Sequence, residues 1–318
     1  MKKSVRFSAA VIVVAFIALL VIKPERYLQS SFSGIKLWAV IVLPSLLPYF
    51  FLTSLATRLN LCDSAAKKAE KLMKFLFRSP GISAYVFFMS ILSGYPVGAK
   101  IISDLYENNI ISEDEATRMS TFCSTSGPLF IVGSVGTGMF GDKIIGYKLI
   151  IAHILSAIIC GIIFRNYGGT NFKKALINEK KSYDNILYDC IYSSVISVLC
   201  VGGFITIFYV AADAVSDFKI LYPITKLTEL ITKNKAAAEA FSSGLIECTR
   251  GCMNLSLAGK TKLTVSLSAG LISFGGVSVI MQSLMYLNKA KVKTRIFLLS
   301  KTIQTFFAIG LCFLLCLF

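Results

Sequence analysis

Glu247 and Arg250 are ionisable residues in a stretch, Ala236 to Ser256, that otherwise reads as apolar. An ionisable side chain at membrane depth is a functional candidate by default. Arg250 offers a planar guanidinium that can take a carboxylate through two parallel hydrogen bonds. Glu247 can orient that ligand or carry a coupling proton. The bland alternative is a mutual ion pair that only holds the local turn. Thr249 and Gly251 complete this polar segment, Glu247 to Gly251.

Three further segments set Gly, Pro and small hydroxyl residues inside apolar surroundings. They are Gly94-Tyr95-Pro96-Val97-Gly98-Ala99-Lys100, Ser124-Thr125-Ser126-Gly127-Pro128, and Ser273-Phe274-Gly275-Gly276. An unwound helix in hydrocarbon leaves backbone N–H and C=O groups unpaired, so it survives only where protein, water or a ligand satisfies them. Helices restarting at Pro128 and Gly276 would aim N-termini, with free N–H donors and partial positive charge, at the midplane. Pro128 suits a first helical position, where its missing donor costs nothing. Ser124, Thr125, Ser126 and Ser273 add hydroxyls, and Gly127, Gly275 and Gly276 allow close backbone approach. The competing reading is that these glycines only permit tight helix crossing; the recurrence of the breaks favours a ligand site. Tyr95 could stack on an aromatic ligand or simply pack. His153, the single histidine, could relay a proton but reads better as a packing residue. Lys100 reads as snorkelling to the surface, and Gln282 could face a cavity.

The elements that must position these residues are membrane helices. The chain of 318 residues is 55% hydrophobic and 16% charged, with mean hydropathy +0.71, a balance that soluble domains rarely reach. Its net charge of +16 lies in short loops beside apolar runs, where topology and anionic headgroups account for it, so nucleic acid is not an expected partner. The nine cysteines lie mostly in apolar segments without metal-like spacing. Cys248 and Cys252 are four apart but far from His153, so no zinc site and no cofactor are expected.

In order, residues 1–33 read as an N-terminal membrane anchor, with Phe7 to Ile22 apolar and the N-terminus in the cytoplasm. A proline-bearing span from Leu37 to about Leu59 precedes a basic amphipathic segment, Lys67 to Arg78. Ala84 to Leu92 is too short to cross and leads to a re-entrant tip at Gly94 to Gly98. Glu113 to Gly138 is a span broken at Ser126-Gly127-Pro128, and Leu149 to Phe164 is the next. After a basic cytoplasmic linker at 167–185 the pattern returns. Ile186 to Ala214 spans, Ala236 to Ser256 breaks at Glu247 to Gly251, Leu263 to Leu287 breaks at Ser273 to Gly276, and Arg295 to Phe318 closes. Gly94 and Gly244, like Gly127 and Gly275, repeat at offsets of about 150. The expected fold is an all-α polytopic membrane protein of two inverted repeats, 34–166 and 186–318, with re-entrant hairpins and broken transmembrane helices. Three crossings per half invert the second half, and the positive-inside rule then places Arg58 to Arg78, Arg165 to Lys181 and Lys289 to Arg295 in the cytoplasm.

The segments SGYPVGAK and STSGPLFIVGSVGTGMFG, followed by an E-C-T-x-G stretch and LISFGGVSVIMQS, resemble the YlbJ or SpoVV family of sporulation integral membrane proteins. That family belongs to the nucleoside-recognition or Gate group, similar in repeat plan to concentrative nucleoside transporters. The resemblance covers nearly the whole chain from about Gly34. It implies a transporter, not an enzyme, that moves dipicolinate from the mother cell across the outer forespore membrane, and, by analogy, a homo-oligomer. The substrate-binding residues would be Gly94, Tyr95, Pro96, Gly98, Ser124, Thr125, Ser126, Gly127, Pro128, Glu247, Thr249, Arg250, Gly251, Ser273, Gly275 and Gly276. The partners expected are a small anionic substrate and the lipid bilayer. The rival readings are a carrier of a nucleoside or other metabolite, and a non-transporting assembly factor for the spore envelope.

Overall fold

A long apolar chain in hydrocarbon must satisfy its own backbone polar groups, and helices do so within one segment. The computed structural model describes residues 3–59, 63–168 and 185–317, and all regular structure among them is helical. Helix α1 (Lys3–Ile22) is followed by α2 (Pro24–Leu37), which runs through a π-helical turn at Trp38–Val42 into α3 (Leu43–Arg58). Next come α4 (Asp63–Phe77), α5 (Ile82–Ser93), α6 (Val97–Glu107) and α7 (Glu113–Ser120). The chain then unwinds until Pro128 starts a π-helical segment, Leu129–Met139, which is followed by α8 (Lys143–Ile163). The remainder is α9 (Ile186–Asp217), α10 (Tyr222–Thr232), α11 (Lys235–Gly244), α12 (Cys248–Leu257), α13 (Lys262–Phe274), α14 (Gly276–Leu287) and α15 (Thr294–Leu315).

The first N–H groups of a helix have no partner within it, and at several helix starts a polar side chain takes that role. Ser112 and Glu115 form a reciprocal capping box on α7. Asp142 accepts from Ile144 N at 2.8 Å on α8, and Asn234 accepts from Ala237 N at 3.0 Å on α11.

Among the described residues, α8, α9, α15 and the α13–α14 unit are long and apolar enough to cross a bilayer. Two bent pairs, Pro24–Val42 with Leu46–Leu52 at 53° and Lys68–Phe77 with Ile82–Ser93 at 93°, raise the number to as many as 6. Large apolar side chains point outward along these helices, including Ile144 and Ile151 on α8, Leu199 and Ile207 on α9, and Phe306 and Leu314 on α15. In water such surfaces would be adhesive patches; in a bilayer they meet lipid. The chain is an integral membrane protein.

Two buried clusters interlock the halves. One packs the α5–α6 hairpin, through Val86, Ala99 and Ile102, against Ile280 and Leu287 of α14. The other packs Ile131 and Val135 of the π-helical segment, with Leu149 of α8, against α11, α12 and α13. A third contact zone sets α2 and α3 on α9 by means of small residues: a Cβ at Gly202 would fall 2.6 Å from the Trp38 ring.

Four expectations need correction. The helix that holds the span expected from Leu37 begins earlier, at Pro24, a helix-starting position that proline tolerates. Between the expected elements Ile186 to Ala214 and Ala236 to Ser256 lies a further helix, α10. The break in the first half is longer than Ser126-Gly127-Pro128, running from Thr121 to Gly127. The interruption expected at Glu247 to Gly251 lies at Leu245 to Glu247, so Thr249, Arg250 and Gly251 sit in the first turn of α12 rather than at an unwound tip. Residues 169–184, with Lys173, Lys174, Lys180, Lys181 and most of the 167–185 linker, lie outside the described residues.

Candidate functional site

At the first hairpin tip, α5 ends at Gly94, whose φ of +74° is a conformation that glycine alone adopts without strain. A Cβ there would lie 2.6 Å from Gly127 N, and one at Gly98 would lie 1.8 Å from Cys123 O. The tip is thus pressed directly on the unwound stretch Thr121–Gly127. Side chains from three helices satisfy that stretch. Ser90 Oγ of α5 accepts from Thr125 N at 3.0 Å and shares a 2.7 Å hydrogen bond with Thr125 Oγ1. His153 Nε2 of α8 accepts from Ser126 N at 2.9 Å. Lys301 Nζ of α15 donates to Ser124 O. Because Nε2 of His153 is an acceptor, a neutral ring carries its proton on Nδ1 and donates it to Ser273 Oγ, 2.8 Å away. His153 therefore bridges the interruptions of the two halves.

The second tip is satisfied differently. Glu247 caps α12, its carboxylate accepting from Thr249 N at 3.1 Å and Arg250 N at 2.6 Å. The tip carbonyls of Leu245 and Ile246 accept from Val277 N at 2.9 Å and Ser278 N at 3.1 Å, in the first turn of α14. Gly275 and Gly276, with φ of +86° and +69°, let that turn approach so closely. The N–H donors expected to await an anion at Gly276 are consequently in use, holding the opposite tip. Arg250 also differs from expectation. Its guanidinium donates to Asp213 Oδ1 at 2.6 Å and to Tyr209 O at 3.0 Å, and lies 4.4 Å from the Tyr209 ring centre. The mutual Glu247–Arg250 ion pair is replaced by a tie from α12 to α9. Asp213 continues that tie by accepting from Ser30 of α2.

Between the tips lies a narrow cleft of about 60 Å³. Ser93, Gly94 and Tyr95 line it from the first tip, and Ser126, Gly127 and Phe130 from the first break. Glu247, Cys248 and Thr249 line it from the second tip, and Ile272, Ser278 and Gln282 from around the second break. Val42, Leu46 and Phe50 with Val201 and Ile205 form an apolar wall. Ser278 Oγ, on a residue that lines the cleft, is buried without a hydrogen-bond partner among the described residues.

Of the residues expected at a binding site, the cleft gathers Gly94, Tyr95, Ser126, Gly127, Glu247 and Thr249. Ser124, Thr125, Ser273, Gly275 and Gly276 lie just behind, in the hydrogen-bonded breaks that shape it. Pro96 and Pro128 start α6 and the π-helical segment. Gly98 and Gly251 serve close packing, a Cβ at Gly251 falling 2.3 Å from Gly244 Cα. Lys100 is exposed on α6. Sequence reasoning missed Lys301, Ser278 and Asp213. Lys301 and Asp213 carried a signal: each is an ionisable residue inside an apolar run, with Gln304 one turn from Lys301.

A family profile described as Gate, nucleoside recognition, matches residues 39–143, which hold the first hairpin, the first break and the π-helical segment. No solved structure matches the chain. The sporulation integral membrane protein YlbJ of Bacillus subtilis (strain 168) is 30% identical over 321 residues, spanning 90% of this chain and 76% of the relative. That is a family of membrane proteins rather than of enzymes. With a match that extends over nine-tenths of its length, the chain belongs to the YlbJ family of sporulation integral membrane proteins.

Proposed function

We propose that this protein is an inverted-repeat membrane carrier that moves dipicolinate, a small planar aromatic dicarboxylate, from mother cell toward forespore across the outer forespore membrane. The observation that carries the transport reading is the convergence of four backbone interruptions on one cleft within apolar helices. Carriers of this kind place their substrate sites at such interruptions near the bilayer midplane, between repeats. The repeat reading is supported by one element order that occurs twice. The α5–α6 hairpin, the α7–π-helical broken unit and α8 correspond to the α11–α12 hairpin, the α13–α14 broken unit and α15. Similarity in plan to concentrative nucleoside transporters, and an N-terminus in the cytoplasm, belong to the same proposal.

A second reading has a specific observation in its favour. The formally charged side chain among the cleft-lining residues is Glu247, an anion, and the rest are apolar, hydroxyl, amide or thiol groups. Such a lining suits a neutral polar metabolite, a nucleoside for instance.

The test is dipicolinate measured in separated mother-cell and forespore fractions of the host, with this gene deleted and then restored. The proposal predicts retention in the mother cell on deletion and delivery to the forespore on restoration. Normal forespore dipicolinate without the gene would sink this substrate and move the weight to the neutral metabolite.

A further inference from the structure

Helix α15 crosses the protein as an apolar rod with one charged group in its middle. Lys301 is 1% exposed. Its Nζ donates to Ser124 O in the unwound stretch, to Gln304 Oε1 at 3.0 Å and to Tyr95 Oη at 3.3 Å, and it sits over the Tyr95 and Phe297 rings at 5.2 and 5.9 Å. The Tyr95 hydroxyl makes long contacts of its own to Ile272 O and Ser273 O, 3.5 and 3.4 Å, leaving its lone pairs toward Lys301. No carboxylate forms a salt bridge with Lys301 among the described residues. The ionisable groups facing it are Tyr95 from the hairpin tip, Cys123 from the unwound stretch, and His153 and Cys160 from α8. Helix α13, packed along α15, has Lys262 at its first position as its sole ionisable residue, and α7 meets α15 at its start, where Glu113 pairs with Lys293.

An ammonium has three N–H donors and a neutral amine has two, so a shell of three acceptors fits the protonated form. That shell ties together the unwound stretch, α15 and the tip residue that lines the cleft. Resting on the carrier reading above, we propose that Lys301 holds the coupling proton of transport. As an ammonium it locks Tyr95 and the α5–α6 tip against the unwound stretch; as a neutral amine it releases them.

Charge balance then pairs proton with substrate. A buried ammonium without a counter-ion is costly in hydrocarbon. A substrate carboxylate that displaces the Tyr95 hydroxyl cancels that charge; a dicarboxylate such as dipicolinate then carries its second carboxyl group protonated, so that the loaded site reorients neutral. After the substrate leaves, loss of the proton from Nζ to water on that side lets the empty site return uncharged. The bonds made and broken are one N–H to Nζ and the hydrogen bonds around it. This also supplies the anion reading with the cation that the cleft walls lack.

The experiment is hydrogen exchange on purified full-length protein across a pH series, each rate corrected against the unfolded chain, for wild type, Lys301→Met and Lys301→Arg. In wild type, protection of 93–98 and 121–127 should fall by about tenfold as pH rises, the effect expected from losing a hydrogen bond to a charged group. Lys301→Met should lack that pH dependence. Lys301→Arg, charged throughout, should stay protected. A flat wild-type profile overturns the proposal, as does a pH-dependent loss that survives in Lys301→Arg, which would assign it to Tyr95, Cys123, His153 or Cys160. The Arg variant keeps the test decisive if the Met variant does not fold. Dipicolinate uptake into vesicles containing a pH-reporting dye separates the two claims. Exchange that depends on pH through Lys301, without dipicolinate movement, removes that substrate and leaves Lys301 standing. Dipicolinate movement with no accompanying proton removes Lys301 and leaves the substrate.

Discussion

At the scale of single residues, the site is made by backbone that side chains would spoil. Gly94 combines a φ of +74° with a neighbour, Gly127 N, 2.6 Å from where a methyl would sit. Gly94→Ala therefore meets both left-handed strain and overpacking, roughly 2–5 kcal/mol together. Thermal unfolding in detergent should show a large loss. Gly203→Ala on α9, where a methyl meets nothing within 4 Å, should be neutral or stabilising. Equal effects at the two positions would contradict the account of the tip. The glycine breaks were legible in the sequence because Gly, Pro and hydroxyl residues have few other reasons to interrupt an apolar run. The partners of Glu247 and Arg250 were not, because their choice depends on which helix lies opposite. Glu247 could cap its own helix from three residues away, whereas Arg250 had to find Asp213, 37 positions earlier.

At the scale of elements, each hairpin is held chiefly by the broken helix of its own half, and Lys301 of α15 reaches across to the first. The first tip rests on the first break, and that break is carried by His153 and Lys301, from α8 and α15. The second tip is bonded to α14 and anchored sideways by Arg250 to α9, with side-chain exposures of 14% and 16% for Arg250 and Asp213. A pair this shielded should exceed the fraction of a kcal/mol typical of exposed pairs. Arg250→Gln and Asp213→Asn should each destabilise by about 1–3 kcal/mol, and the double variant by clearly less than the sum. Unfolding of the three variants in detergent checks this, and simple additivity would refute the tie. The order of helices was readable from apolar runs, but α10 was hidden within a charged segment. There the alternation of Ile224, Leu227, Leu230 and Ile231 with polar residues makes an amphipathic turn pattern too short to stand out.

At the scale of the molecule, the two interlocked cores explain why four interruptions can coexist. Each is backed by packed helices of the other half, and they open on a common cleft rather than on lipid. The plan of recurring breaks was legible because it is a pattern of residue types along one chain. The chemical character of the cleft was not, since its walls come from widely separated parts of the sequence and Lys301 stands behind Tyr95. The central claim is that this cleft binds and passes a small anion. The measurement that tests it most directly is counterflow of labelled dipicolinate into vesicles containing the purified protein, with unlabelled dipicolinate or uridine trapped inside. The account predicts accumulation driven by dipicolinate, not by uridine, and lost on Lys301→Met. Accumulation of labelled uridine in the same vesicles, with dipicolinate inert, would contradict it.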